Sequence, residues 1–160
     1  MGAAAGAAIL AWGLLLAAFA AVAAPDELAF AQDLAAEARE AAASGRTLLV
    51  LFSTTDCPWC RRVRAEFLLP MQRNADDAQR ILVREIDIES DRPLAGFRGE
   101  RTTHAAFASA LGLHFVPVVA FFGADGAEAA ERLVGFRTAD WYGAYLDRRI
   151  DDARSHAKAP

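Results

Sequence analysis

The apolar positions of the chain fall into short continuous runs that polar residues separate. TLLVLFS, at Thr47–Ser53, is apolar apart from its terminal hydroxyl residues, which is typical of a strand buried on both faces of a central sheet. Three further runs predict strands: ILVREIDI at Ile81–Ile88, FVPVVAFF at Phe115–Phe122, and a segment from Glu128 to Phe136. The Gly-Ala-Asp-Gly turn at residues 123–126 should join the last two strands into a hairpin.

Between these runs, apolar residues recur at the spacing of helices. A first helix is predicted to begin at Asp26, whose side chain would cap it, and to end at Gly45. A second helix follows Pro58, which suits a first helical position, and Pro70 is expected to stop or kink it. Two more helices are predicted: HAAFASALGL after a Thr102 or Thr103 cap, and a last helix from a Thr138 cap to about Ala153.

The predicted order of elements is helix, strand, helix, strand, helix, strand, strand, helix. Helices that first alternate with strands, followed by a closing hairpin, predict an α/β fold with a mixed sheet and helices on both faces. A chain of 160 residues suits one domain with a sizeable core. The net charge of −4 includes no basic patch, which argues against a nucleic-acid partner.

The N-terminal segment has a different composition from the rest of the chain. No charged side chain occurs between Gly2 and Pro25, and the apolar stretch ends in the small-x-small pattern Ala21-Val22-Ala23. This pattern predicts a signal peptide over residues 1–23 and a mature domain over residues 24–160. An uncleaved membrane anchor is the alternative, because the apolar stretch is long enough to span a bilayer. Both alternatives place the domain outside the cytoplasm.

Both cysteines of the chain, Cys57 and Cys60, follow the first apolar run in the sequence TTDCPWCRRVR. A purely structural crosslink is disfavoured, because so short a disulfide loop removes little chain entropy. A structural zinc site needs four ligands, and His104, His114 and His156 do not lie in a zinc-binding pattern. A Cu(I) site made by the two thiolates and a redox-active pair both remain open.

A redox-active pair needs no further ligand residues from the rest of the chain. Cys57 falls at the turn between a buried strand and a helix, where free N–H groups and the helix dipole favour the thiolate. The thiolate is the nucleophile of disulfide exchange. Cys60 lies three residues further on, in the first helical turn, and can attack the mixed disulfide to release the product. The two thiols are a complete dithiol catalyst that needs no cofactor and no metal.

Three stretches, LLVLFSTTDCPWC, FVPVVAFF and LVGF, resemble the thioredoxin superfamily over about residues 26–153. The resemblance implies a thioredoxin fold, with a central mixed four-stranded sheet flanked by helices and a polar loop insertion before the strand of the cis-proline. It also implies that the Val116-Pro117 bond is cis and faces the cysteine pair. Gly135 would lie beside the substrate groove, and Trp59, Val116 and Phe136 would form the rim of that groove.

The chain departs from the cytosolic thioredoxins at several positions. Leu51 stands where the family has a buried aspartate six residues before the first cysteine, and Pro58-Trp59 replaces the usual dipeptide. With export, these departures resemble periplasmic thioredoxin-like proteins of the SoxW kind. The resemblance implies a thiol–disulfide oxidoreductase that reduces protein disulfides, although the residues themselves do not fix the direction of exchange. A reductase outside the cytoplasm would need electrons from a membrane donor. The expected partners are client protein disulfides or dithiols, and the protein is expected to be a monomer. The alternative is a binding module that holds Cu(I) or a client protein without redox turnover.

The segment Glu89–Thr103 is polar and contains Pro93, Gly96 and Gly99. It is predicted to be a long loop that is too polar to join the core. Long loops in compact domains are often functional, so this loop is expected to emerge near Cys57 and to influence the choice of partner. Its hydrophobic residues, Leu94 and Phe97, would contact a partner or pin the loop to the domain surface.

Overall fold

A computed structural model describes residues 26–137 and 139–157. The predicted signal peptide or anchor of residues 1–23 and the predicted Thr138 cap lie outside the described residues. Within the part of the chain that is described, no helix has the length and apolar character needed to cross a membrane.

The predicted strands and helices are present, and a small second sheet adds to them. The helices are α1 (Leu34–Ala43), α2 (Pro58–Val63), α3 (Leu69–Arg73), α4 (Ala75–Ala78), α5 (His104–Ala110) and α6 (Ala139–His156), with a π-helical turn at Arg64–Leu68. The strands are β1 (Thr47–Ser53), β2 (Ile81–Asp87), β3 (Pro93–Ala95), β4 (Arg101–Thr103), β5 (Val118–Phe122) and β6 (Glu128–Val134).

The central sheet has the order β2-β1-β5-β6 and is mixed, as predicted. β1 runs parallel to β2, with Ser53 opposite Asp87. It runs antiparallel to β5, with Phe52 opposite Val118, and β6 forms the predicted hairpin with β5. The carboxyl ends of β1 and β2 therefore lie at the same edge of the sheet as the start of β5.

Each face of the sheet carries its own apolar core. One face is covered by α1, α5 and the segment before β5, and its larger buried residues are Leu34, Leu48, Val50, Phe52, Leu82, Ile86, Leu94, Phe107, Leu113, Val118 and Phe122. The opposite face is covered by α2, α3 and α6, and its larger buried residues are Leu28, Leu49, Leu51, Val63, Leu68, Leu69, Ile81, Val83, Val119, Phe121, Tyr142, Leu146 and Ile150. β1 is buried on both faces, which explains its continuous apolar sequence.

The start of the first helix differs from the prediction. The helix begins at Leu34, and Asp33, not Asp26, is its cap, with its carboxylate accepting the Ala36 N–H at 2.8 Å. The preceding residues are extended because Phe30 pairs with Glu85 on β2 through backbone hydrogen bonds. A local pattern of apolar spacing carried no information about this distant pairing.

The prediction that residues 89–103 are a polar loop outside the core was wrong. β3 and β4 form a hairpin in this segment, and Leu94 is buried in the first core. The Phe97 ring lies 4.8 Å from that of Phe122, at the end of β5. Since Phe122 pairs with Leu48 at the start of β1, the hairpin reaches the end of the sheet opposite the cysteines. The burial of Leu94 and the packing of Phe97 thus hold this segment against the domain, although most of its residues are polar.

Pro70 neither stops the helix that begins at Pro58 nor leaves it regular. A π-helical turn at Arg64–Leu68 precedes it, and the chain stays helical as far as Arg73. Proline lacks the N–H that a regular helix would donate to the carbonyl four residues back. The wider π-helical turn accommodates this missing hydrogen bond without ending the helix.

Candidate active site

The cysteine pair lies where β1 passes into α2. Cys57 caps α2, Pro58 takes the first helical position, and the Cys57 sulfur accepts the Cys60 N–H at 3.0 Å. Cys57 and Cys60 form a disulfide. Cys57 is 8% exposed and Cys60 is fully buried.

This geometry gives the two sulfurs different chemical roles. When the pair is reduced, the N–H groups at the start of α2 and the helix dipole favour a thiolate at Cys57. Cys57 also retains the only solvent exposure of the two, so an incoming disulfide reaches it first. The arrangement is that of a redox-active pair with an attacking thiol at the cap and a resolving thiol inside the helix.

The strand next to β1 brings a proline to the same edge. The Val116-Pro117 bond is cis, as predicted. Pro117 directly precedes β5, and Val118 pairs with Phe52 near the end of β1. The Pro117 carbonyl accepts the Gly135 N–H at 2.8 Å. Gly135 has a φ of +76°, a conformation that favours glycine, so Val116, Pro117 and Gly135 lie together at the cysteine edge of the sheet.

Aromatic side chains lie beside this edge. Trp59 is 52% exposed, and its ring lies 5.9 Å from that of Phe136. The Arg62 guanidinium lies 4.8 Å from the Phe136 ring and 5.8 Å from the Trp59 ring, within the range of cation–π attraction. Arg62 is held there by Glu66 through two hydrogen bonds. The predicted rim residues Trp59 and Phe136 are therefore in contact, and Val116 is half-buried.

Phe136 is supported from behind by an aromatic cluster. The rings of Phe67 and Tyr142 lie 6.0 Å and 5.0 Å from the Phe136 ring. Burial raises the pKa of the Tyr142 phenol, so this group stays neutral. The cluster connects the rim to α6.

One polar cluster beside the active site was missed at the sequence level. Glu85, on β2, is only 3% exposed and accepts hydrogen bonds from Ser53 and Arg64. The hydrogen bond to Glu85 raises the pKa of the Arg64 guanidinium, against the effect of burial. The only local signal was a pair of adjacent charged residues, Arg84 and Glu85, inside the predicted strand ILVREIDI. A strand pattern cannot show that a helix residue supplies the counter-ion.

Within residues 26–137 and 139–157, no group of three His, Cys, Asp or Glu side chains is placed to hold a metal ion. The Cys57–Cys60 disulfide and the position of Cys57 at the cap of α2 support thiol–disulfide exchange at this edge.

The comparisons with known proteins agree with this geometry. Residues 34–150 match the family model of the thioredoxin-like domain. Mitochondrial thioredoxin 3 from Saccharomyces cerevisiae has a TM-score of 0.51 and 16% identity, over 78% of this chain and 94% of the yeast chain. A poplar thioredoxin h variant has a TM-score of 0.51 and 15% identity, over 82% and 87% of the two chains. Thioredoxin from Fasciola hepatica has a TM-score of 0.50 and 17% identity, over 78% and 97%.

The comparison with curated protein sequences found no match. The structural likenesses have low sequence identity and show the thioredoxin fold, whereas the family model spans most of the chain and covers both cysteines. The central sheet, the strand-to-helix position of the cysteine pair and the family match lead to one conclusion: this chain belongs to the thioredoxin-like domain family.

Proposed function

We propose that this protein is an exported thiol–disulfide oxidoreductase that reduces protein disulfides through Cys57 and Cys60. The Cys57 thiolate attacks one sulfur of the client disulfide, and the other client sulfur leaves as a thiolate that takes up a proton. The Cys60 thiol then loses its proton and attacks Cys57. The client is released with two thiols, and the protein is left with the Cys57–Cys60 disulfide.

The observation that carries the proposal is the asymmetry of the pair. Cys57 is at the accessible cap of α2 and accepts a helix N–H, whereas Cys60 is fully buried one turn away. A structural disulfide would not need this difference in access, but a cycle of attack and resolution does.

The surroundings support an extended client segment as the substrate. In this proposal Val116, Pro117 and Gly135 line the place where the client backbone lies beside Cys57, and Trp59 and Phe136 bind its apolar side chains. The exposed ring of Trp59 and the half-buried ring of Phe136 are available for such contacts.

Export and electron supply belong to the same proposal. The uncharged apolar segment of residues 1–23 favours a signal peptide or an N-terminal anchor, which places the domain in the periplasm or another extracytoplasmic space. A reductase in that space requires electrons from a membrane donor. We propose that the protein works as a monomer on client disulfides or dithiols and does not bind nucleic acid.

The proposal is tested by insulin reduction with dithiothreitol as the electron source, together with trapping of mixed disulfides. Wild-type protein should accelerate insulin reduction, and both Cys57→Ser and Cys60→Ser should abolish the acceleration. Cys60→Ser should accumulate mixed disulfides with clients on non-reducing gels, because the resolving thiol is gone. Cys57→Ser is the matched control and should trap few, because Cys60 is buried.

Two outcomes would contradict the proposal. An insulin reduction rate no higher than that of dithiothreitol alone would favour the module that binds Cu(I) or a client without turnover. Equal trapping by the two serine variants would remove the assignment of the attacking and resolving thiols.

A further inference from the structure

A cleft lies at the end of the central sheet that is remote from the cysteines. Its volume is about 440 Å³, a size typical of small-molecule sites in proteins. The C-terminal ends of α1 and α6 and the turn between β5 and β6 form its walls. Thr47, the first residue of β1, lies in its lining. Since the cysteines follow the other end of β1, at Ser53, about 20 Å separate the cleft from the candidate active site.

Alanines on the two helices leave the space that the cleft occupies. Ala38 and Ala42 lie one turn apart on α1, and Ala153 and Ala157 lie one turn apart at the end of α6. Ala38 and Ala153 are each 1% exposed and belong to the two apolar cores. The ring of Phe122, at the end of β5, adds to the same lining. The inner wall of the cleft is therefore apolar and suits a hydrocarbon group.

Charged side chains also line the cleft, and one of them lacks a partner. Arg46 pairs with Glu40 at 2.9 Å, and the Asp125 carboxylate accepts a backbone N–H of its own turn at 3.0 Å. His156 lies in the last turn of α6. The Nε atom of Arg154 is buried without a hydrogen-bond partner, and within the described part of the chain its guanidinium forms no ion pair. The cleft thus presents a cation without a counter-ion.

The helix dipole explains only part of this arrangement. A basic side chain is favourable at the C-terminal end of a helix, which accounts for the place of Arg154 in α6. It does not account for the unpaired Nε–H group, because leaving a buried donor without an acceptor costs free energy. A carboxylate would supply the acceptor, since a guanidinium binds a carboxylate through two parallel N–H···O hydrogen bonds. One guanidinium without a counter-ion matches a singly charged carboxylate better than a doubly charged phosphate.

We propose that this cleft binds a small organic carboxylate with an apolar body, of the size of a medium-chain fatty acid. The carboxylate accepts hydrogen bonds from Arg154, and the hydrocarbon part packs among the alanines and on the Phe122 ring. Such binding stabilises the folded domain by mass action. The inference concerns a second site and does not rest on the proposed thiol chemistry.

The test uses octanoate as the probe, titrated into isotope-labelled protein and followed by amide shifts in two-dimensional NMR spectra. Octanol has the same hydrocarbon chain without the charge, and acetate has the charge without the chain. Octanoate should bind saturably and shift the amides of residues 122–126 and of the end of α6, while those of residues 57–60 stay in place. Octanol and acetate should each bind at least about tenfold more weakly, because each lacks one part of the contact.

Two pairs of variants assign the two parts of the site. Arg154→Met keeps the apolar stem but removes the guanidinium, so it should weaken octanoate binding about tenfold or more and leave octanol unaffected. Its matched control is Arg148→Met, at an exposed position of the same helix outside the cleft. Ala42→Leu fills part of the cleft from an exposed position and should weaken both ligands. Ala43→Leu, the next residue and also exposed but outside the lining, is its control.

Several results would overturn the inference. One is the absence of saturable octanoate binding to the folded wild-type protein, and another is a set of shifted amides on a different face. Equal affinities for octanoate and octanol would remove the carboxylate from the proposal. Equal weakening by Arg154→Met and Arg148→Met would remove Arg154, and unchanged binding in folded Ala42→Leu would place the ligand outside the cleft.

Discussion

At the scale of single residues, His104 connects three parts of the fold from inside the first core. The side chain is fully buried, and its Nδ1 atom accepts the Asp87 N–H at 3.2 Å. The Nε2 atom therefore carries the proton of the neutral ring and donates it to the Ala31 carbonyl at 2.9 Å. Burial lowers the pKa of His104 below its usual 6.5, because a charged ring would lose its hydration and the Asp87 hydrogen bond.

This geometry predicts a loss of stability in mild acid. The pKa of His104 is lower in the folded state than in the unfolded state, so its contribution is fully present above about pH 6.5 and is lost as the pH falls through the folded-state pKa. The free energy of unfolding from urea titrations should be lower at about pH 5 than at about pH 7. His104→Gln should lower stability at both values and flatten the difference, whereas His114→Gln, at an exposed position, should preserve it. An equally steep difference in His104→Gln would assign the effect to other groups.

At the scale of elements, the β3–β4 hairpin is held to the domain by two side chains on its inner surface. Leu94 is buried in the first core, and Phe97 packs against Phe107 and Phe122. A Cβ at Gly126 would lie 2.5 Å from Phe97, so the β5–β6 turn needs a glycine for the ring to fit. The backbone of Ala95 also pairs with the segment before α1.

We therefore expect the hairpin to be part of the folding unit. Leu94→Ala should lower the free energy of unfolding by about 2–5 kcal/mol, the usual cost of a cavity at a buried leucine. Arg98→Ala, in the same hairpin but exposed, is the matched control and should stay within about 0.5 kcal/mol. Urea unfolding measures both. A cost for Leu94→Ala as small as that for Arg98→Ala would show that the hairpin is only an appendage.

The elements also show how far the sequence could predict the fold. β1, β2 and α5 matched their predictions because their signals are local: a continuous apolar run, a bounded apolar run, and the Thr103 cap, whose hydroxyl accepts the Ala106 N–H. The start of α1 and the hairpin did not match, because pairing with β2 and packing on Phe122 decide them, and both are distant in sequence. The cysteine pair and the cis bond before β5 were predictable from short motifs. The Glu85–Arg64 pair was not, since its partners come from separate elements.

At the scale of the whole molecule, the two ends of the central sheet have different roles: one end carries the candidate active site, and the other carries packing contacts. The cysteine pair, Pro117 and the Trp59–Phe136 contact lie at the end where β1 and β2 finish. The hairpin tip and the β5–β6 turn lie at the other end, where Phe97 packs on Phe122. Substitutions at the far end should act through stability, and those at the near end should act on substrates.

This division predicts different outcomes for two exposed tryptophans. Trp59 is 52% exposed at the cysteine edge, and Trp141 is 64% exposed on α6. Trp59→Ala should reduce kcat/KM for insulin about thirtyfold, since aromatic anchors that an interface buries contribute about 2 kcal/mol. It should leave the reaction with DTNB nearly unchanged, because that small disulfide needs no groove. Trp141→Ala should change neither rate, and both variants should stay within about 0.5 kcal/mol of wild-type stability. Equal losses of insulin reduction in the two variants, or parallel losses with insulin and DTNB in Trp59→Ala, would show that Trp59 is not a client-binding residue and that the rim of the groove lies elsewhere.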